Sequence, residues 1–164
     1  MIGLDVFQDF LIRVDPHARK MELSPLDGRD GSASCKDCMQ AYRLGHLLLV
    51  GGEVSGHGEG YFILDTGSPY TLISRKLMPR SGRAEKMTGA QGDQAVALQS
   101  TPVALRLGAR HLWGFEYATL DTDEISSNNG AAIAGAIGYS LLREVSLTVN
   151  YRAGLVKLRT PGRE

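Results

Sequence analysis

An aspartate that leaves an apolar run and enters a glycine turn is where chemistry should be sought first, and Asp65 does so in Ile63-Leu64-Asp65-Thr66-Gly67-Ser68. A carboxylate beside apolar neighbours loses hydration, which raises its pKa unless donors hold the ion. The Thr66 and Ser68 hydroxyls and the Gly67 amide are the donors within reach. An acid so placed is suited to changing protonation state during a reaction. Gly67 supplies the positive φ or close backbone approach needed where the acid faces a partner group or a water. The tripeptide by itself is equally compatible with an Asx-capped β-turn. A second pair, Leu120-Asp121-Thr122-Asp123, lacks the glycine and is crowded by Asp123 and Glu124, so it reads as a solvated turn.

Other candidate chemistries fail on spacing. Cys35 and Cys38 form a CxxC, but His46 and His57 do not supply finger-like zinc spacing; a local disulfide or two free thiols both fit. His17, His46, His57 and His111 show no HExxH pattern, and GGEVSGHGEG lacks the GK[ST] of a phosphate cradle. No GxSxG elbow is present, which leaves a serine hydrolase without its nucleophile turn. Trp113, Phe115 and Tyr117 share one parity and read as packing rather than a ligand box.

The elements that must position Asp65 are short strands. Leu47 to Val54, a glycine turn through Gly56, Gly58 and Gly60, and Tyr61 to Leu64 make a hairpin whose exit is Asp65. Tyr70 to Ser74 reads as another strand, Arg75 to Met78 as a helical turn, and Val96 to Leu98, Val103 to Leu107 and Trp113 to Leu120 as further strands. Short strands at turn-punctuated intervals predict an all-β sandwich or barrel. The chain also repeats itself. IGLDVFQDFLIRVDPHARKMEL, from Ile2, and IGYSLLREVSLTVNYRAGLVKL, from Ile137, align without a gap at an offset of 135. Ile2/Ile137, Gly3/Gly138, Val14/Val149, Ala18/Ala153 and Leu23/Leu158 are identical, and Asp15/Asn150 keeps its chemistry. Each copy reads as a helical turn, a strand, a polar turn and a returning strand. Three segments are therefore expected: a strand hairpin at 1–23, a polar linker carrying the CxxC at 24–41, and a β lobe at 42–164.

Composition bounds the partners. The chain has 164 residues, about the length of one domain. Its 18 basic and 18 acidic residues cancel, so nucleic acid is not an expected partner. No apolar stretch approaches the roughly 18 residues of a membrane span, so no membrane partner is expected within the chain.

ILDTGSPYTLIS resembles the active-site loop of aspartic peptidases of the pepsin and retroviral type, where two apolar residues and Asp-Thr-Gly-Ser precede a strand. Their second signature, two apolar residues and a glycine leading into a short helix, is matched by Ala136, Ile137 and Gly138 in AGAIGYSLL. Lobes of that family then close with a hairpin like SLTVNYRAGLVKL, so the resemblance runs from Leu44 to Arg159.

The resemblance implies a closed, barrel-like lobe with one or two short helices, acting as an aspartic endopeptidase on peptide or protein substrates without a cofactor or a metal. Asp65 would be catalytic. Thr66 would lock its loop against a partner loop, Gly67 would allow close approach, Ser68 would hydrogen-bond the carboxylate, and Ile137 and Gly138 would pack behind. A glycine-containing hairpin flap is expected, with Gly89, Ala90, Gln91 and Gly92 at its tip. The mechanism needs two carboxylates sharing one proton, and the chain offers one such loop. The second would come from a preceding lobe, of which 1–23 would be the end, or from an identical protomer. A noncatalytic peptide-binding or assembly module with the same fold is the alternative. Export is implied only if an upstream signal exists.

Overall fold

The computed structural model describes residues 4–26, 35–78, 82–89 and 92–160. A 3-10 turn, Leu4–Phe7, opens them, followed by the strands β1 (Phe10–Asp15) and β2 (Lys20–Pro25). Then come β3 (Met39–Leu44), β4 (Leu47–Val54), β5 (Gly58–Leu64) and β6 (Thr71–Ser74). Strands β7 (Arg83–Gly89), β8 (Gly92–Gln99), β9 (Ala104–Leu107), β10 (Arg110–Trp113) and β11 (Tyr117–Leu120) follow. Helix α1 (Asp123–Asn129), β12 (Ile133–Ile137), helix α2 (Tyr139–Leu142), β13 (Ser146–Asn150) and β14 (Leu155–Arg159) complete the fold. Among the described residues the chain is all-β with two short α-helices, and neither is long and apolar enough to cross a membrane.

The two repeat copies fold alike down to their turns. At the offset of 135, the opening 3-10 turn corresponds to α2, β1 to β13 and β2 to β14. In the first turn the Ala18 amide donates to Asp15 Oδ1 at 3.0 Å; in the second, the Ala153 amide donates to Asn150 Oδ1 at 2.9 Å. Arg19, at φ 52°, takes the left-handed conformation that its counterpart Gly154 takes at φ 63°. The Asp-to-Asn exchange preserves the acceptor that the turn needs, which is why sequence identity understates the likeness.

The strands run in one mixed sheet, in the order β2-β1-β13-β14-β3-β4-β5-β12-β6-β11-β8-β7, with β9 branching from β4 and carrying β10. The ends of this path, β2 and β7, do not pair with each other, so the strand order is that of an open sheet. The resemblance implied a closed, barrel-like lobe.

Central strands are buried on both faces because their apolar runs are continuous rather than alternating. Leu48, Val50, Phe62, Leu64, Ile73 and Ile137 join one core with Ile12, Leu147, Val149 and Val156. Leu49, Ile63, Leu72, Ala118 and Ala136 join a second. Fully burying a side chain such as Phe62 stabilises by about 1.5–3 kcal/mol.

Local differences from the sequence reading have physical causes. β3 begins at Met39, inside the expected linker, because Ala41 is buried and the strand pairs with both β14 and β4; residues 27–34 of that linker lie outside the described residues. β7, whose polar sequence carries no strand pattern of its own, pairs on one side only, with β8, and forms the first arm of the hairpin expected around 89–92. The span from Trp113 to Leu120 is interrupted at Gly114, φ 79°, so Phe115 and Tyr117 are buried while Trp113 is exposed. At Arg75 to Met78 the Leu77 and Met78 amides both donate to the Ser74 carbonyl, closing a single turn.

Tyr117 is 1% exposed, and its hydroxyl has no hydrogen-bond partner among the described residues. Burial pushes its pKa above the ordinary value. An unpaired buried hydroxyl costs on the order of 1–3 kcal/mol, so Tyr117→Phe should raise stability to urea by about 1 kcal/mol. The sign with pH follows. The unfolded phenol ionises near pH ~10 while the folded one stays neutral, so wild-type stability is full below that pH and falls above it. The Phe variant should lose this alkaline slope, and an unchanged slope would assign it to another group.

Candidate active site

Strand β5 delivers Asp65, and β12 holds it in place. β12 lies between β5 and β6, parallel to the first through Ile137↔Leu64 and antiparallel to the second through Ala136↔Leu72. The strands entering and leaving the Asp65 loop are thereby held one strand apart, and the loop spans the gap. The ladder continues by one rung onto the acid, whose amide donates to the Ile137 carbonyl at 3.0 Å. The Asp65 side chain is half-buried rather than sealed, and its Oδ1 accepts from the Gly67 amide at 2.9 Å.

The second signature clamps the loop from behind. The Tyr139 and Ser140 amides donate to the Ser68 and Pro69 carbonyls at 2.8 and 3.0 Å. The Thr71 amide donates to Ser140 Oγ at 2.8 Å, Ser140 Oγ donates to Thr71 Oγ1 at 3.2 Å, and the Gly138 amide donates to the same Thr71 Oγ1 at 3.3 Å. A Cβ on Gly138 would lie 2.0 Å from the Tyr70 carbonyl oxygen. Glycine is required there by proximity, not by φ, which is −99°. Thr71 and Ser140, both buried, escaped the sequence reading as site residues because Thr71 read only as part of the strand 70–74 and Ser140 only as part of the short helix after Gly138. Their signal was the apolar pair following each, Leu72-Ile73 and Leu141-Leu142.

Comparison with protein-family models finds no match, and a search of curated proteins finds none either.

Thr66 is exposed and lines a cavity of about 390 Å³. Val14 and Met21 of the first repeat copy share that lining with Tyr139 and Leu142 of the second. The Asp65 loop thus stands at the seam between the two copies. Ser68 is buried, and its hydroxyl donates to the Tyr70 carbonyl at 2.8 Å. A hydroxyl has one proton, so Ser68 braces the loop instead of donating to the Asp65 carboxylate as expected.

Gly89 and Gly92 pair across the β7–β8 hairpin, next to Thr88↔Asp93; Ala90 and Gln91 lie outside the described residues. The Lys86 ammonium and the Thr88 hydroxyl hold the Asp93 carboxyl below its ordinary pKa. The hairpin is anchored by β11 and by Arg75, whose Nη2 donates to the Ala95 carbonyl at 3.0 Å.

The second Asp-Thr pair is structural. Thr122 occupies the N-cap position of α1, buried, with its Oγ1 2.7 Å from Ser74 Oγ, and Asp121 Oδ1 accepts from the Asp123 amide at 2.9 Å. Asp123 and Glu124 favour a helix N-terminus, the signal that should have marked a helix here instead of a solvated turn. Cys35 and Cys38 form a disulfide, which resolves the choice between disulfide and thiols. Among the described residues no group of three His, Cys, Asp or Glu side chains is placed to hold a metal ion.

Proposed function

We propose that the chain supplies one catalytic lobe of an aspartic endopeptidase, with Asp65 as one of two aspartates that activate a water between them. The observation that carries the reading is the Asp65 loop itself: an acid on the last rung of the β5–β12 ladder, clamped by Gly138 and Ser140, at the seam between the repeat copies.

In the reaction, the ionised carboxylate of the pair takes a proton from the water as its oxygen bonds to the peptide carbonyl carbon. The protonated carboxyl donates to the carbonyl oxygen, giving a neutral tetrahedral diol; the first carboxyl then returns its proton to the nitrogen while the other, now ionised, takes one from a diol hydroxyl, and the C–N bond breaks to give an amine and a carboxylic acid. Two carboxylates about 3 Å apart cannot both ionise, which keeps one proton on the pair. Asp65 provides one carboxyl, Gly67 N–H steadies its Oδ1, and exposed Thr66 is free to meet the partner loop.

The test is calorimetric titration of the two-lobed protein with a pepstatin-type transition-state mimic. Such mimics bind on the order of 10²-fold or more tighter than substrates, so saturable binding tighter than that of a substrate peptide is expected. Absence of binding supports the noncatalytic module instead.

A further inference from the structure

Strand β4 changes partners half-way along its length. β5 holds one of its edges; on the other, β4 pairs with β3 as far as Ala41↔Val50 and with β9 from Gly52↔Leu107 onward. Gly51 stands at the fork between those two ladders and, among the described residues, is registered with Tyr61 of β5 alone. A cavity of about 440 Å³ opens there, flanked by Met39 and Gln40 at the start of β3 and by Gly108 just after β9.

Register decides which side chains face it. Directly opposed residues share a face of the sheet, as do residues two apart on one strand. Arg106, Glu53 and Glu59 form one row across β9, β4 and β5, and Gly51 and Tyr61 form the next on the same face. Tyr42 stands one row further on, opposite Leu49, and its ring meets that of Tyr61 edge to face, with centroids 5.5 Å apart and planes at 77°. The two tyrosines are 50% and 37% exposed, so neither ring is spent on the core. A Cβ built on Gly51 meets nothing within 4 Å. The floor between the charged row and the aromatic pair is therefore backbone with open space above it.

Charge along the row does not balance. Glu53 and Glu59 are directly opposed, and like charges so placed in a sheet cost stability. Arg106 approaches from the far side of β4 and gives both Nε and Nη2 to Glu53 Oε2, the Nε at 3.0 Å. Glu59 is exposed and, among the described residues, has no ion-pair partner. Arg106 and Glu59 are the charged side chains lining the cavity. With Arg106 neutralised by Glu53, the Glu59 carboxylate sets the sign of the site.

We propose that this fork binds a guanidinium, the side chain of an arginine in a peptide segment. A guanidinium is planar and weakly hydrated; it stacks on aromatic faces and pairs with a carboxylate through two parallel N–H bonds. Tyr42 and Tyr61 supply the first contact and Glu59 the second, and the bound cation relieves the opposition of Glu53 and Glu59. An ammonium, a compact and strongly hydrated charge, gains less from the rings. The chain already uses this chemistry once, where the Arg43 guanidinium lies 5.7 Å from the centre of the Tyr151 ring. Glu59 precedes Asp65 by six residues, about 20 Å along an extended strand, so the site is separate from the Asp65 loop.

The test is NMR titration of the chain with the peptide acetyl-Ala-Arg-Ala-amide, with a copy carrying citrulline in place of arginine, and with a lysine copy. Citrulline keeps the shape and removes the charge. The arginine peptide should shift the Tyr42, Glu59 and Tyr61 signals saturably. The citrulline peptide should bind at least about tenfold more weakly and the lysine peptide about threefold more weakly. Glu59→Gln, an exposed exchange, should weaken binding of the arginine peptide by about tenfold. Gly51→Val fills the open space above the floor and should abolish binding while leaving the urea midpoint in place. The inference is overturned by the absence of saturable shifts at Tyr42 and Tyr61, by equal affinity for the citrulline or the lysine peptide, or by undiminished binding to Glu59→Gln. None of these readouts involves hydrolysis at Asp65, so failure here is distinct from failure of the peptidase reading.

Discussion

Asp65→Asn in the two-lobed protein should leave the fold standing and lower peptide hydrolysis by at least about 10²–10⁴-fold, the contribution of a positioned acid or base. The substitution is nearly isosteric. The amide oxygen of Asn can still accept from Gly67 N–H, now 2.9 Å from Oδ1, and the backbone bond from residue 65 to the Ile137 carbonyl is untouched. What disappears is the ability of the side chain to take or release a proton, and with it the single shared proton of the pair. Stability to urea should stay within about 0.5 kcal/mol, as for a half-exposed polar exchange away from a packed core. Asp121→Asn is the matched control, because Asp121 is exposed and, among the described residues, accepts from the Asp123 amide; activity should be retained. Full hydrolysis by Asp65→Asn would end the proposal. The wild-type rate should also peak in the acid to mildly acidic range, since the pair must keep one proton; a maximum at strongly alkaline pH contradicts the mechanism.

What could be read from the sequence follows from how far each signal is local. The hairpin ending at Asp65 was legible because an apolar run, a glycine turn and a second apolar run are each short-range patterns. The repeat was legible for the same reason, and the turn at Asp15 and its counterpart Asn150 kept its side-chain acceptor although the residue changed. The passage of β12 between β5 and β6 was not legible. It joins residues about 70 positions apart, such as Ile63 and Ala136, and no periodicity reports a parallel neighbour. The role of Ser68 went astray for a related reason. Its nearest acceptor was assumed to be the carboxylate three residues before it, but the turn aims its hydroxyl at the Tyr70 carbonyl. Helix α1 was passed over because its sequence, Asp-Glu-Ile-Ser-Ser-Asn-Asn, contains few strong helix formers; the acidic first turn and the left-handed Gly130 after it define its ends instead.

Gly138→Ala tests the clamp that holds the Asp65 loop, and with Gly135→Ala, whose Cβ would meet the Leu72 oxygen at 1.9 Å, it should be among the most damaging single-methyl changes in the chain. The added Cβ would sit 2.0 Å from the Tyr70 oxygen, 2.5 Å from its carbonyl carbon and 2.9 Å from the Ser68 oxygen. These are backbone atoms, so no rotamer change relieves the overlap. The loop has to withdraw by more than an ångström, which stretches the bonds from Tyr139 N–H to Ser68 and from Ser140 N–H to Pro69 and pulls Thr71 from the Gly138 amide. Overpacking of this kind costs about 1–3 kcal/mol, and each broken buried hydrogen bond adds roughly 0.5–1.5 kcal/mol. A loss of about 3–5 kcal/mol in urea unfolding is therefore expected, a large share of the stability of a domain this size. Gly51→Ala is the control: it also places a methyl in the sheet, but nothing lies within 4 Å of the new Cβ, and it should cost less than about 0.5 kcal/mol. If the two variants unfold at the same urea concentration, Gly138 is not the residue that sets the distance between the second signature and the Asp65 loop. If they separate as expected, the glycine fixes the loop by excluding every side chain from one contact, and the position of Asp65 depends on a residue that never touches it.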